Sequence, residues 1–200
     1  MPNNVINEVT IHGKPEEIDR LFSAVEGEDT IFDFNKIKPM PSELLEYTAP
    51  AQREKEETGE EFETRIDRFT ENHGAADWYE WALNNWSTKW NAYHVSERVE
   101  NTISFQTAWD TPMKLIAYLS LLFPEVVIQV RYADEDIGVN CGAYILENGV
   151  LSRTVTDAPY DFAANIWYGM DYSDLKDMWD AEEAELEAEF AAEEEEKELV

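Results

Sequence analysis

Apolar residues recur along this chain at two periods, and the switches between them mark out its elements. Val5, Val9 and Ile11 alternate with polar neighbours, Asn7 being the one break, which predicts a half-buried strand ending at Gly13. Pro15, Glu16 and Glu17 then open a helix, since proline suits the first turn and carboxylates the positive end of the helix dipole. Ile18, Leu21, Phe22 and Val25 form its stripe, and Gly27 stops it. Thr30 to Ile37 alternates more loosely through Ile31, Phe32, Phe34 and Ile37 and is read as a second strand, ended by Pro39 and Pro41. Ser42 and Glu43 open a short helix through Leu44 and Leu45. From Ala49 to His73 charges dominate, which predicts an exposed, partly helical, solvated connector.

Four of the seven tryptophans follow, between Trp78 and Trp90. As one helix, this stretch places Tyr79, Ala82, Leu83, Trp86 and Trp90 on a single core face, with Trp78 and Trp81 on its flank. Beyond it, Val99, Ile103, Phe105 and Trp109 fall on one side of an alternating run. Thr111-Pro112 reads as a helix start, hydroxyl as N-cap and proline at the first position. Leu115, Ile116, Leu119, Leu122 and Phe123 make that helix's buried face, and Pro124 ends it. Val126 to Tyr132 alternates as the next strand, and Val139, Cys141, Ala143 and Ile145 as another. Asn148-Gly149 joins the latter to Val150-Leu151 as a hairpin. Strand, helix, strand, insertion, strand, helix, strand and hairpin suit an α+β ferredoxin-like fold, an antiparallel sheet with helices on one face. The expected division is a ferredoxin-like domain over 1–158 with a charged helical insertion at 49–92, then an acidic C-terminal helical extension over 159–200.

Charge changes the picture most. The 200 residues carry 44 acids against 15 lysines and arginines, a net charge of -29. Such a surface repels nucleic acid and anionic membranes and attracts basic partners. Fourteen of the acids, with only Lys176 and Lys197 against them, lie beyond Met170, so that segment holds -12 and the body -17. Leu175, Met178, Trp179, Leu186 and Phe190 keep a helical stripe there, which predicts docking on the body or a partner as far as Phe190; Glu193 to Glu198 is expected to fray. The single cysteine, Cys141, and an N-terminus without signal-peptide character lead to an expected cytoplasmic location.

Candidate chemistry adds little. No phosphate loop, dinucleotide fingerprint or nucleophile elbow is present. Cys141 is expected to be a buried thiol. His12, His73 and His94 are scattered, and His94 with Glu97 and Glu100 has no second histidine at ligand spacing. Asp134-Glu135-Asp136-Ile137-Gly138 resembles a calcium loop, but its glycine falls one place early and no closing glutamate follows, so an acidic turn is expected. Lys89, beside Trp86 and Trp90, is a candidate cation–π lysine. No catalytic residue, metal or cofactor is expected, and the chain is read as a non-enzyme.

At Met1-Pro2-Asn3, Asn35-Lys36-Ile37-Lys38-Pro39-Met40-Pro41, Asn85-Trp86-Ser87-Thr88-Lys89-Trp90-Asn91 and Thr107-Ala108-Trp109, the chain resembles the phage and plasmid proteins that carry the YubB ferredoxin-like domain. The resemblance covers residues 1–155. It departs at Asn4, where that family has tryptophan, at Ser87, where it has glycine, and at Asp110-Thr111. It implies a ferredoxin-like fold and a mobile-element origin, and carries over no catalytic residue.

Acids on a helix rising about 1.5 Å per residue are spaced on the order of 3 Å along its axis beyond Asp171, close to the roughly 3.4 Å phosphate spacing of one DNA strand. The expected function is therefore an acidic protein of a phage or plasmid. It would bind and inhibit a host defence protein with a basic nucleic-acid-binding surface in the host cytoplasm, as a DNA mimic, without binding nucleic acid or membrane itself. The expected contacts are Asp171, Asp174, Asp177, Asp180, Glu182, Glu183, Glu185, Glu187 and Glu189, with Trp179 as apolar anchor. The alternative is a structural protein that forms homodimers or larger assemblies through Leu175, Trp179, Leu186 and Phe190.

Overall fold

The computed structural model describes residues 3–154 and 157–198. Its centre is strand β1 (Asn4–His12), whose odd-numbered residues Val5, Asn7, Val9 and Ile11 are all buried. The break in the pattern is thus not a turn outward. Asn7 stays in the core, its amide donating to the Val5 carbonyl at 3.0 Å and to the Thr107 hydroxyl at 2.8 Å. Helix α1 (Pro15–Val25) follows as the sequence predicts, with Ile18, Leu21, Phe22 and Val25 buried.

The expected second strand over Thr30–Ile37 is absent; a bend and a one-turn helix, α2 (Phe34–Ile37), stand in its place. The reason is local capping. Asp33 accepts from the Asn35 backbone N–H at 2.9 Å, and its own N–H returns to the Val25 carbonyl. Those bonds commit the groups a strand ladder would need. Phe32 and Phe34 are still fully buried, Phe32 stacking on Phe105 at 4.9 Å and Phe34 meeting Trp86 edge-on at 5.6 Å. A 3-10 turn (Ser42–Glu46) leads to α3 (Gly59–His73), opened by a Thr58–Glu61 capping box.

The tryptophan stretch is shorter than predicted. Helix α4 (Trp78–Asn85) closes with Trp86 as its C-cap, so the long shared face does not form. Trp81, assigned to the flank, and Trp86 are the buried ones, whereas Trp90 is 40% exposed. Strand β2 (Thr102–Ala108) buries Ile103, Phe105 and Thr107, while Val99 and Trp109 lie outside it and are exposed. Helix α5 (Met113–Leu122) starts one residue late, with Pro112 at the cap. The hydroxyl of Thr111 is not the cap; it turns into the core and lies 3.0 Å from the Tyr144 hydroxyl. Leu115, Ile116 and Leu119 are buried as expected, but Leu122 is exposed.

Strands β3 (Val127–Asp134), β4 (Cys141–Glu147) and β5 (Val150–Thr154) complete an antiparallel sheet of order β2-β1-β3-β4-β5. β2 and β3 flank β1, each antiparallel to it, so they run parallel to one another with α5 as the crossover: the split βαβ of a ferredoxin-like fold. β4 faces the core with the opposite parity to the expected one. Gly142, Tyr144 and Leu146 are buried, while Val139 and Ile145 are exposed. Tyr144 can be interior because Thr111 partners its hydroxyl.

Helices α1, α2, α4 and α5 share the large core on one sheet face. A further helix, α6 (Pro159–Tyr168), lies on the other face, where Ala163 and Ile166 pack with Ala133, and the Trp167 indole N–H donates to the Asp134 carbonyl at 2.9 Å. The final helix α7 (Tyr172–Glu198) then leaves the body; its side chains beyond Phe190 lie outside the described residues, and with them the expected fraying of Glu193–Glu198.

Candidate functional site

The start of α7 is anchored. Leu175 is fully buried, Trp179 packs edge-on against Tyr168 at 6.1 Å, and the Tyr172 N–H donates to Asp161 at 3.0 Å. From Asp180 to Phe190 every residue is exposed. Docking therefore ends at Trp179, about three turns short of Phe190 at about 3.6 residues per turn. Leu186 and Phe190, at 54% and 61% exposure, are uncovered apolar residues among the described part of the helix.

The predicted contact acids are placed accordingly. Asp171 precedes α7, and Asp174 and Asp177 flank its anchored turns, whereas Asp180, Glu182, Glu183, Glu185, Glu187 and Glu189 lie on the projecting part. At about 100° per residue these positions fall on all sides of the axis rather than on one face. Glu182 and Glu183 share the side of Leu186 and Phe190, while Asp180 and Glu185 lie away from it. Trp179 is half-buried against the body, so it anchors the helix itself. None of these carboxylates forms an ion pair among the described residues.

A second constellation gathers the motif segments, which are far apart in sequence. The Trp109 N–H donates to the Asn3 carbonyl at 2.9 Å, and the Thr88 hydroxyl to the Ala108 carbonyl at 2.7 Å. The Trp86 indole donates to the Lys38 carbonyl at 3.0 Å. Asn91 receives the Phe34 N–H at 2.9 Å and donates to Asp33 at 2.8 Å. Lys89 lies between two rings, its Nζ 4.4 Å from the Trp90 centroid and 5.0 Å from that of Trp109. Ser87 and Trp109 both take φ near +70°, the left-handed region that favours glycine.

The other candidate side chains each have a hydrogen-bond partner. Cys141 opens β4, its thiol donates to the Pro159 carbonyl at 3.6 Å, and burial pushes its pKa above the ordinary value. His12 pairs with Gln129, His73 with Glu43 and His94 with Gln106. Among the described residues no group of three or more His, Cys, Asp or Glu is placed to hold a metal ion, and no helix is long and apolar enough to cross a membrane. The acidic turn ties down the N-terminal residues: Asn3 donates to Asp136 at 2.8 Å and to Asp134 at 3.2 Å, and Asn4 donates to Glu135 at 2.7 Å. Sequence reasoning did not assign Tyr93 or Glu135 to any site. The β1–β3 pairing brings Glu135 to Asn4, about 130 positions away, and a bridge from Tyr93 to Gln106 of β2 brings Tyr93 to the same cleft.

A family comparison agrees with the fold. The sequence profile of a family described as "Ferredoxin-like domain in Api92-like protein" matches residues 85–200, and this span takes in the acidic end. Among solved structures, that of a protein api92 from Yersinia pseudotuberculosis is similar at 10% identity, covering 78% of this chain and 99% of that one with a TM-score of 0.42. No curated protein matches the chain.

Proposed function

We propose a function from the premise that this chain belongs to the family of Api92-like proteins, whose ferredoxin-like domain it carries over residues 85–200. The chain is a non-enzymatic acidic protein that occupies the basic nucleic-acid-binding surface of a partner, with the projecting part of α7 standing in for a nucleic-acid strand. The observation that carries this reading is the helix itself. It is fixed to the body only as far as Trp179 and then runs into solvent with six carboxylates between Asp180 and Glu189. Acids on every side of the rod suit entry into a groove whose walls are basic. The resemblance to YubB-domain proteins of phages and plasmids supports a mobile-element setting, in which the partner is a host defence protein in the host cytoplasm and binding inhibits it.

The test is capture from host lysate followed by a DNA-binding assay of the captured protein in the presence of the chain. Full-length protein should capture and inhibit at low salt and release at high salt, because a contact made by exposed charges is screened within about 8 Å at physiological ionic strength. A full-length variant with Asp180→Asn and Glu→Gln at 182, 183, 185, 187 and 189 should do neither. Undiminished inhibition by that variant would sink the role of α7. A truncation control is best cut after Asp180, since a cut at Met170 also strips Leu175 and Trp179 from their packing.

A second reading, self-assembly, is favoured by one specific observation: Leu186 and Phe190 are uncovered and one helical turn apart. It predicts a mass that rises with concentration and falls back to monomer in an L186E/F190E variant.

A further inference from the structure

Trp90 stands between two clefts, and their contents differ in sign. The cleft on one side is lined by Lys89, whose ammonium already lies against the ring. The cleft on the other side, about 630 Å³, is lined by Asn3, Asn4, Trp90, Tyr93 and Glu135 and holds no basic side chain among the described residues. Its walls are fixed by a relay of hydrogen bonds. The Tyr93 hydroxyl donates to Asn4 Oδ1 at 2.7 Å, Asn4 Nδ2 donates to Glu135 Oε2 at 2.7 Å, and the Glu135 N–H returns to the Asn4 carbonyl at 2.9 Å. Burial and the adjacent Glu135 charge push the Tyr93 phenol above its ordinary pKa.

We infer that this cleft takes the arginine side chain of a partner protein. A guanidinium is flat, stacks on indole and phenol faces, and donates to a carboxylate in the plane of its fork; Trp90, Tyr93 and Glu135 supply those elements in one cleft. Asp134 and Asp136 beside the cleft, within a body of net charge -17, raise the local concentration of cations. A rigid wall matters as much as charge, because the walls need no reordering when the side chain enters. The inference rests on the reading of a basic partner, but it uses residues of the body and none of α7.

The test needs no partner. Isotope-labelled full-length protein is titrated with Nα-acetylarginine amide and with its neutral isostere, Nα-acetylcitrulline amide, following the Trp90 indole N–H by NMR. The expected result is a saturable shift at Trp90 with arginine, about tenfold weaker binding of citrulline, and an unmoved Trp179 signal. E135Q, which keeps an acceptor for Asn4, and W90A should each weaken binding at least about fivefold, while W90F retains most of it. The α7-neutralised variant should bind arginine as the wild type does. Equal binding of citrulline, or arginine binding unchanged in both E135Q and W90A, overturns the inference. Loss of capture by the α7-neutralised variant with arginine binding intact separates the two sites. Absence of arginine binding with capture intact overturns the cleft alone.

Discussion

Arg65 sits in a stretch whose composition predicts a solvated connector, yet its side chain is buried. Its guanidinium donates to both Glu57 oxygens at 2.8 Å and to the Gln52 carbonyl at 3.0 Å, and lies 4.0 Å from the centroid of the Tyr47 ring. Nothing in the spacing of charges between Glu54 and Arg68 singles out this pair, because many acid–base pairs there are equally close in sequence. The Arg65 hydrogen bond is the main cause holding the Glu57 carboxyl down at about 2, from an ordinary 4.5. A folded-state pKa below the unfolded one means that the pair's contribution is fully present above about pH 4.5 and disappears as pH falls towards 2. Thermal denaturation between pH 6 and 2 should therefore show a loss of stability in that window that is smaller in a Glu57→Gln variant. Parallel curves for the two proteins would contradict it.

Elements were legible where a local signal and the tertiary contacts agree. Asn148-Gly149 predicts its hairpin because both residues must take positive φ, and they do, at 47° and 77°. Gly149 is doubly constrained, since an added Cβ would come within 2.5 Å of Leu121 Cδ2. Gly149→Ala should lower the urea midpoint, at a cost of about 1–2 kcal/mol, whereas Asn148→Gly should change it by a few tenths. Equal midpoints for wild type and G149A would show that the turn relaxes freely. Where local signals compete, the pattern misleads. Around β4 the apolar run Val139, Cys141, Ala143 and Ile145 outnumbers Tyr144 and Leu146, yet Tyr144 and Leu146 take the core. A one-residue choice of parity reverses the facing of a whole strand, and pairing with β3 decides it. Thr111 is similar: its sequence position suggests a cap, but a buried tyrosine hydroxyl claims its side chain.

At the scale of the whole molecule, the body and the projecting helix obey different physics. The body buries a core on one sheet face and a smaller one under α6. Beyond Trp179, α7 has no packing surface beneath its described residues, and its acids repel one another at three- and four-residue spacing. Its helix content should therefore depend on ionic strength. Circular dichroism at 222 nm should strengthen between about 20 mM and 0.5 M salt as screening shortens from roughly 20 Å to about 4 Å. The α7-neutralised variant should show the stronger signal at both. A signal independent of salt in the wild type would mean that the rod is held by contacts other than its own hydrogen bonds.

The sequence by itself determined the strands β1 and β3, the helix α1, the closing hairpin, the ferredoxin-like class and the imbalance of charge between body and tail. Each of these follows from periodicity, turn chemistry or composition within a short window. Tertiary structure decided that Thr30–Ile37 is not a strand, which tryptophans are interior, which parity β4 presents, and that α6 covers the second face. It also decided that α7 is released at Trp179 and that Trp90, Tyr93 and Glu135 line one cleft. The cap at Asp33 and the Tyr168–Trp179 contact are local but carry no hydrophobic period to announce them. The other outcomes depend on contacts between segments tens to more than a hundred residues apart, which no window of local pattern contains.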